Sequence, residues 1–339
     1  MQMRPLGESG ITASAVALGA WAIGGWNWGG ANDDESIRVV HAALDNGITF
    51  IDTAPVYGMG RSEEVIGRAL QGGRRHQVVL ASKCSLSWED EPGGVYHFSA
   101  DEAGKVAEND PAAMYRVRRD GRPRVIRKGV EDSLRRLRTD VIDLMQTHWQ
   151  DPSTPIEDSM GELLKLQREG KIRAIGCSNA TPEEMARYRS VGRLDTDQEK
   201  YSMLDREREK DNLPYCSEHK VAFLAYSPLA QGLLTGAIGP ERTFGPGDGR
   251  NANPRFSLEN RQRVQSFLTG IRPIADDYGL TLAQLVTAWT LAQPGCSHVL
   301  LGARTVRQVA ENAKGGGIVL DDAAARLIRD KIEKELHLS

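Results

Sequence analysis

The sequence is short of cysteine, of long apolar runs and of any marked excess of charge, and each shortage removes a class of function. Its four cysteines, Cys84, Cys177, Cys216 and Cys296, are scattered and form no C-x-x-C pair. They read as reduced thiols, which argues against a disulfide framework or a metal centre. No apolar run approaches the roughly 20 residues of a membrane helix, so no membrane partner is expected. The opening Met1-Gln2-Met3-Arg4-Pro5 lacks the apolar core of a signal peptide, and a cytoplasmic location is expected. A net charge of −3 argues against nucleic acid, which needs a basic face to displace phosphate counterions, so no such partner is expected either. Also missing is a glycine-rich dinucleotide turn: Gly19, Gly24, Gly25, Gly29 and Gly30 do not spell G-x-G-x-x-G. Nothing in the sequence speaks to oligomeric state.

What is present is a globular mixture, 40% apolar and 26% charged, with enough length to bury a sizeable core. Apolar runs recur at Val16–Trp21, Ile48–Ala54, Val78–Cys84, Val141–His148, Ile172–Asn179, Asp195–Ser202, Val221–Pro228 and Val299–Arg304. Most are continuously apolar instead of alternating, the pattern of strands buried on both faces. Amphipathic stretches separate them. Asp34–Asn46 opens on acidic residues and stops at Gly47, Pro155–Gly170 repeats the plan, and Thr181-Pro182-Glu183-Glu184 reads as a helix start. Eight such strands admit a closed (β/α)8 barrel or a doubly wound open sheet. The missing dinucleotide turn and the lack of a polar edge strand favour the α/β class with a TIM barrel. We expect one barrel domain over residues 1–339, its floor plugged by an N-terminal hairpin turning at Gly7-Glu8-Ser9-Gly10. Two connections, about 85–123 and 236–256, exceed the roughly two to six residues of a βα loop. Both leave C-terminal strand ends, where barrel active sites lie. The first predicts a small hairpin around Tyr115-Arg116-Val117-Arg118, serving as a surface excursion or as a pocket wall.

Polar residues at those strand ends are the natural source of chemistry. Asp52 ends the second run, with Tyr57 in the loop beyond it, while Lys83 and His148 end the third and fourth. Neighbouring strands lie about 4.8 Å apart, so these ends converge. A free tyrosine, with a pKa of about 10, is a poor acid at neutral pH. An ammonium beside it favours tyrosinate, so a tyrosine tuned by Lys83 and Asp52 suits a general acid, and a neutral His148 suits orienting a carbonyl oxygen. Singly, each of the four reads equally well as a cap, a counter-ion or a rim residue; their meeting on neighbouring strands is the signal. A metal-dependent hydrolase would want several histidines on strand ends, and of the seven only His148 qualifies. Trp21, Trp88 and Trp149, at or just beyond strand ends, suggest an aromatic pocket for a small carbonyl compound or a sugar ring, with rim packing of one or two of them the alternative.

At this point the sequence resembles the aldo-keto reductase family, from about Pro5 to about Leu320. The resemblance rests on Asp52-Thr53-Ala54-Pro55-Val56-Tyr57-Gly58 with Arg61-Ser62-Glu63, on Ser82-Lys83, and on Gln146-Thr147-His148-Trp149. It continues through Gly170-Lys171-Ile172-Arg173-Ala174-Ile175-Gly176-Cys177-Ser178-Asn179, Tyr226-Ser227-Pro228-Leu229, Gly232-Leu233-Leu234-Thr235-Gly236 and Gly302-Ala303-Arg304. It implies the barrel and a nicotinamide cofactor across its C-terminal face. By matching positions it implies Tyr57 as proton donor, Lys83 and Asp52 as its tuners, and His148 as the residue orienting the carbonyl.

The same resemblance implies cofactor contacts from Ala20, Trp21 and Asp52, from Ser178, Asn179 and Gln198 at the nicotinamide amide, and from Tyr226 stacked on its ring. Ser227, Pro228, Leu229, Gln231 and Gly232 match the pyrophosphate segment, with Arg250 closing over it. Gly302, Arg304, Gln308, Glu311 and Asn312 match the adenosine side. Arg304 precedes a helix start at Thr305, where guanidinium chemistry suits a 2′-phosphate, so NADPH is expected, with NADH open. The motifs look most like bacterial methylglyoxal reductases and inositol or sugar dehydrogenases. Reduction of an aldehyde, ketone or keto-sugar is the leading expectation. Alternatives are an NAD(P)-dependent polyol or sugar dehydrogenase working in the oxidative direction, and a cofactor-sensing regulatory subunit.

Overall fold

The computed structural model describes residues 1–88, 93–100, 106–107 and 113–338. The chain opens with an antiparallel hairpin, β1 (Met3–Pro5) against β2 (Thr12–Ser14). Three barrel strands follow: β3 (Val16–Gly19), β4 (Phe50–Asp52) and β5 (Val79–Cys84). A separate small sheet comes next, from β6 (Leu86–Ser87), β7 (Val95–Ala100), β8 (Val106–Ala107) and β9 (Tyr115–Arg119). The barrel resumes with β10 (Ile142–Thr147), β11 (Ile172–Ser178), β12 (Thr196–Lys200), β13 (Ala222–Tyr226) and β14 (Cys296–Gly302). All eight barrel strands are parallel, and β14 pairs with β3 to close the ring.

Each apolar run of the sequence became a barrel strand. The last one starts earlier than expected, at Cys296 instead of Val299. Ser297 and His298 look like loop residues, yet His298 is fully buried, its ring nitrogens bonded to the carbonyls of Ser14 and Pro5. The helix starts follow their caps. Asn32 Oδ1 accepts from Glu35 N at 2.9 Å ahead of the helix Asp33–Asp45. Thr181 and Glu184 form a reciprocal capping box ahead of Pro182–Val191.

Inside the barrel, Ala17, Phe50, Ala81, Leu144, Ala174, Leu224 and Leu300 point at one another, and Leu6, Ile11 and Ala13 of the hairpin pack beneath them. The hairpin thus seals the N-terminal floor, and the interior opens only toward the C-terminal strand ends. A larger shell of aliphatic residues lies between the strands and the surrounding helices. The first long connection holds more than the expected hairpin. Its strands form an antiparallel sheet in the order β6-β9-β7-β8, with β9 central. The sheet lies on the Tyr57 loop: Val117 packs with Ala54 and Val56, and Leu86, Trp88 and Phe98 pack around them. The second long connection runs through short turns at Gly249–Asn251 and Pro254–Phe256 into the helices Leu258–Asp277 and Leu282–Leu291. Among the described residues no helix is long and apolar enough to cross a membrane.

Candidate active site

Side chains alternate along a strand, so the inward residues one layer above the apolar interior are Asp52, Lys83, Gln146, Gly176, Thr196 and Gln198. This layer is polar and almost completely dry. Lys83 is 0% exposed and Asp52 2%. Lys83 Nζ donates to Asp52 Oδ2 at 2.7 Å, to the Thr53 carbonyl at 3.0 Å and to the Tyr57 hydroxyl at 3.3 Å. The other Asp52 oxygen accepts from Gln198 Nε2 at 2.9 Å and Gln146 Nε2 at 3.4 Å. Gln146 Oε1 in turn accepts from Thr196 Oγ1. The three ammonium protons therefore have three acceptors, the condition for holding a charge away from water.

The loop carrying Tyr57 is pinned by the residues that follow it. Ser62 Oγ donates to the Ala20 carbonyl and meets Thr53 Oγ1, while Glu63 accepts from Ser82 and from Arg136 Nε, both at 2.6 Å. Gly24 presses directly on Tyr57: a β-carbon there would stand 2.5 Å from the Tyr57 carbonyl carbon. The motif Arg61-Ser62-Glu63 thus has a physical role, since it holds the phenol over Lys83.

Electrostatics correct one expectation. Burial is the largest influence on Tyr57 and pushes its phenol above its ordinary value; Lys83 pulls it down and Asp52 pushes it up again. Tyr57 is thereby kept in its protonated form, with the Lys83 ammonium 3.3 Å from its oxygen. For Lys83, burial opposes the charge, but Asp52 and Tyr57 outweigh it and hold the ammonium above its ordinary value. His148 is held well below the usual histidine range, by burial first and then by the charge of Lys83. It is neutral at pH 7. Its ring stands edge-on to Tyr57, 5.9 Å between centroids, and its buried Nδ1 has no partner among the described residues.

Above this layer opens a cavity of about 930 Å3, near the upper end for small-molecule sites. Its walls include Asp52, Tyr57, His148, Trp21 and Trp149 at one end and Arg304, Gln308, Glu311 and Asn312 at the other. Ala20, Ser178, Asn179, Gln198, Tyr226, the Ser227–Leu229 turn, Gln231, Gly232, Arg250 and Gly302 line the length between. Lys83 lies behind Tyr57 and does not reach the surface. Trp88 is placed elsewhere, packed on the Ala54, Val56 and Val117 cluster. Asn179 is oriented from two sides, donating to the His148 carbonyl at 3.0 Å and accepting from Tyr226 OH at 2.9 Å. Ser227, Ala230 and Gln231 all take positive φ, as does Gly232. Such strain persists only where the surroundings impose it, and it gathers at ligand sites.

Sequence reasoning missed Gln146 and Thr196, although their strand period puts them on the face of His148 and Gln198. It also missed Trp28, whose loop crosses the mouth of the cavity. Trp28 pairs with Asp248 as an isolated bridge, meets Trp21 edge-on at 5.6 Å, and lies under the Arg250 guanidinium at 5.1 Å. Arg250 is itself gripped by Asp248 at 2.6 and 2.9 Å and donates to the Gln231 carbonyl. Arg304 donates to the carbonyls of Trp28 and Gly30. The Trp28 indole N–H is buried with no partner among the described residues.

Comparison with known proteins finds the aldo/keto reductase family model matching residues 15–333. A Bacillus subtilis aldo-keto reductase, YhdN, is 38% identical over 338 residues, spanning 99% of this chain and 95% of the relative. An Escherichia coli protein named NADH-specific methylglyoxal reductase is also 38% identical, over 98% of this chain and 99% of its own. The solved glycerol dehydrogenase of Gluconobacter oxydans superposes with a TM-score of 0.84 at 40% identity, covering 99% of this chain and 96% of that one.

The crowding of the polar layer is directly testable. A β-carbon at Gly176 would meet Thr196 Oγ1 at 2.0 Å and Gln146 Cγ at 2.9 Å. Gly176→Ala should therefore cost about 1–3 kcal/mol of stability in urea unfolding. Gly161, which faces open space in the helix Ile156–Arg168, should gain about 0.4–1 kcal/mol from the same change.

Proposed function

The chain belongs to the aldo/keto reductase family, and from that premise we propose that it reduces small aldehydes or ketones with NADPH, Tyr57 supplying the proton. The observation that carries this reading is the buried Lys83 ammonium bonded at once to Asp52 and to the Tyr57 hydroxyl, beside a neutral His148 at the end of a long cavity. A nicotinamide, when bound, supplies the hydride. The protein's own residues do the rest.

His148 and Tyr57 both present donors to one small volume, so a carbonyl oxygen there is held by two neutral hydrogen-bonding groups. As negative charge develops on that oxygen, Tyr57 passes its proton to it and becomes tyrosinate. The Lys83 ammonium, 3.3 Å away, stabilises that anion; each pKa unit of such help is worth about 1.4 kcal/mol. Asp52 keeps Lys83 charged and fixed. Trp21 and Trp149 flank the reaction end and limit water. By reversal, tyrosinate accepts the proton of an alcohol, so the same residues support the oxidative direction suggested by the glycerol dehydrogenase neighbour.

The fit of the cofactor rests on this chain's own features. Two residues that line the cavity, His148 and Trp28, each carry a buried nitrogen, Nδ1 and Nε1, with no partner among the described residues. Ser178, Asn179 and Gln198, which line the cavity, would hold a carboxamide, and Tyr226 would stack on the ring. The positive-φ turn through Gln231 and Gly232, with Arg250, would hold the pyrophosphate. One relative is named as NADH-specific, so cofactor choice turns on the adenosine end. Arg304 supports NADPH: its guanidinium bonds two backbone carbonyls and has no carboxylate partner among the described residues. Thr305 caps the helix Val306–Gly315 just beyond it, adding the field of a helix N-terminus. Gln308, Glu311 and Asn312 would meet the adenine side.

Tyr57→Phe should abolish reduction, by a factor of about 100 or more in kcat, while NADPH binding followed by fluorescence stays near wild type. Turnover surviving in that variant refutes the proton-donor assignment. Arg304→Ala should weaken NADPH binding by about tenfold or more and NADH binding little. Matched losses for the two cofactors would show that Arg304 reads no 2′-phosphate.

A further inference from the structure

Beside the reaction end of the main cavity lies a second groove of about 440 Å3, running between the loops that follow β10 and β11. Trp149 and Asn179 wall both spaces. The groove carries four charged side chains, Arg119, Asp151, Glu184 and Arg187, and three of them are already satisfied. Asp151 accepts from Ser153 N and Oγ through one oxygen, and from Gly121 N and Thr154 Oγ1 through the other. Glu184 closes the capping box on Thr181 N. Arg187 is clamped by both oxygens of Glu157 at 2.7 and 2.8 Å.

Arg119 is the exception. Among the described residues its buried Nε has no hydrogen-bond partner, and no carboxylate pairs with it. Nor is it a loose surface side chain. It ends β9, the central strand of the inserted sheet, where its backbone is paired with Leu86 on one side and Val95 on the other. In the facing strand β7 the register slips between Tyr96 and Phe98, which makes His97 the extra residue of a bulge. That bulge lays the His97 ring against Trp149, 5.2 Å between centroids. His97 is held below the usual histidine range, by burial first and by the Arg119 charge second, so it is neutral and brings no competing charge. The inserted sheet therefore delivers one unpaired guanidinium to the substrate side and packs behind the tryptophan that divides the two spaces.

Resting on the reductase reading above, we propose that Arg119 forms a carboxylate subsite, so that this enzyme takes aldehydes or ketones bearing a carboxylate, with the carbonyl at Tyr57 and His148 and the acid in the groove past Trp149. A half-buried guanidinium with an unmet donor gains most from a planar anion that it can hold by two parallel hydrogen bonds. The single free cation among the described residues of the groove matches the single charge of a carboxylate. A phosphate dianion would call on a second one, and Arg187 is already committed to Glu157.

The test compares matched pairs: the four- and six-carbon ω-oxo acids against butanal and hexanal, and glyceraldehyde 3-phosphate against glyceraldehyde. Wild-type enzyme should favour an oxo acid over its neutral partner by about tenfold or more in kcat/KM. Arg119→Ala should remove that preference through KM, leaving butanal turnover and NADPH binding unchanged, and Arg119→Lys should restore part of it. Binding of succinate and glutarate to enzyme loaded with oxidised cofactor, measured by calorimetry, reads the subsite without turnover and should be lost in Arg119→Ala. Neutral aldehydes preferred or equally used, equal losses on both members of a pair, or a preference for the phosphate alone would each overturn the carboxylate subsite. Absence of any turnover, on neutral aldehydes too, would instead count against the reductase reading, and the calorimetry would still decide the subsite.

Discussion

Lys83 and Asp52 lie 2.7 Å apart with side chains 0% and 3% exposed. Removing two such charges from water costs several kcal/mol each, and their attraction repays this only when every remaining donor and acceptor is met. Much of the barrel's upper layer is arranged to meet them. Thr53 gives its backbone carbonyl, Gln198 and Gln146 give amide protons, and Thr196 completes Gln146. Gly176 leaves the room in which these side chains fit. A hydrophobic pair in the same place would be cheaper for folding. The retained charges have their use at the Tyr57 hydroxyl, where the ammonium supplies its third proton.

That arrangement separates two properties which the sequence alone runs together. An ammonium beside a tyrosine suggests a lowered pKa, but at Tyr57 burial is the stronger effect and acts in the opposite direction. The phenol is kept protonated, and under the proposed reading the ammonium would matter most once that proton had been given up. His148 follows the same logic, because burial and Lys83 both disfavour its charge and leave a neutral ring beside the phenol. A neutral acid, a neutral donor and one compensated cation make a site whose electrostatics favour charge appearing on a bound oxygen rather than on the empty protein.

The fold was legible because its rules are repetitive. Eight apolar runs with helices between them, opened by acidic residues from Asp34 or by Thr181-Pro182 and stopped by glycine, leave few alternatives to a barrel. The meeting of Asp52, Lys83 and His148 was legible because they sit at neighbouring strand ends, a relation set by topology. The least legible parts depend on contacts between segments far apart in sequence. The bridge between Trp28 and Asp248, the sheet built from residues that suggested a single hairpin, and the His97 bulge have no local signature. Trp88 illustrates the limit: its position just past Lys83 suggested a pocket wall, but the inserted sheet draws it into an apolar cluster on the Tyr57 loop. Gln146 was hidden for another reason, because a glutamine inside an apolar strand carries no charge to draw notice.

The most direct test of the central claim is an NMR titration of Tyr57, with the tyrosine ring carbon bearing the hydroxyl labelled with 13C and the resonance assigned by Tyr57→Phe. If burial outweighs the Lys83 ammonium, the folded-state pKa lies above the ordinary value of about 10. The resonance should then stay at the phenol position through neutral pH and move only in strongly alkaline solution. Removing the cation in Lys83→Met should shift the transition higher still. A tyrosinate signal at neutral pH, or a transition unmoved by the loss of Lys83, would contradict the account.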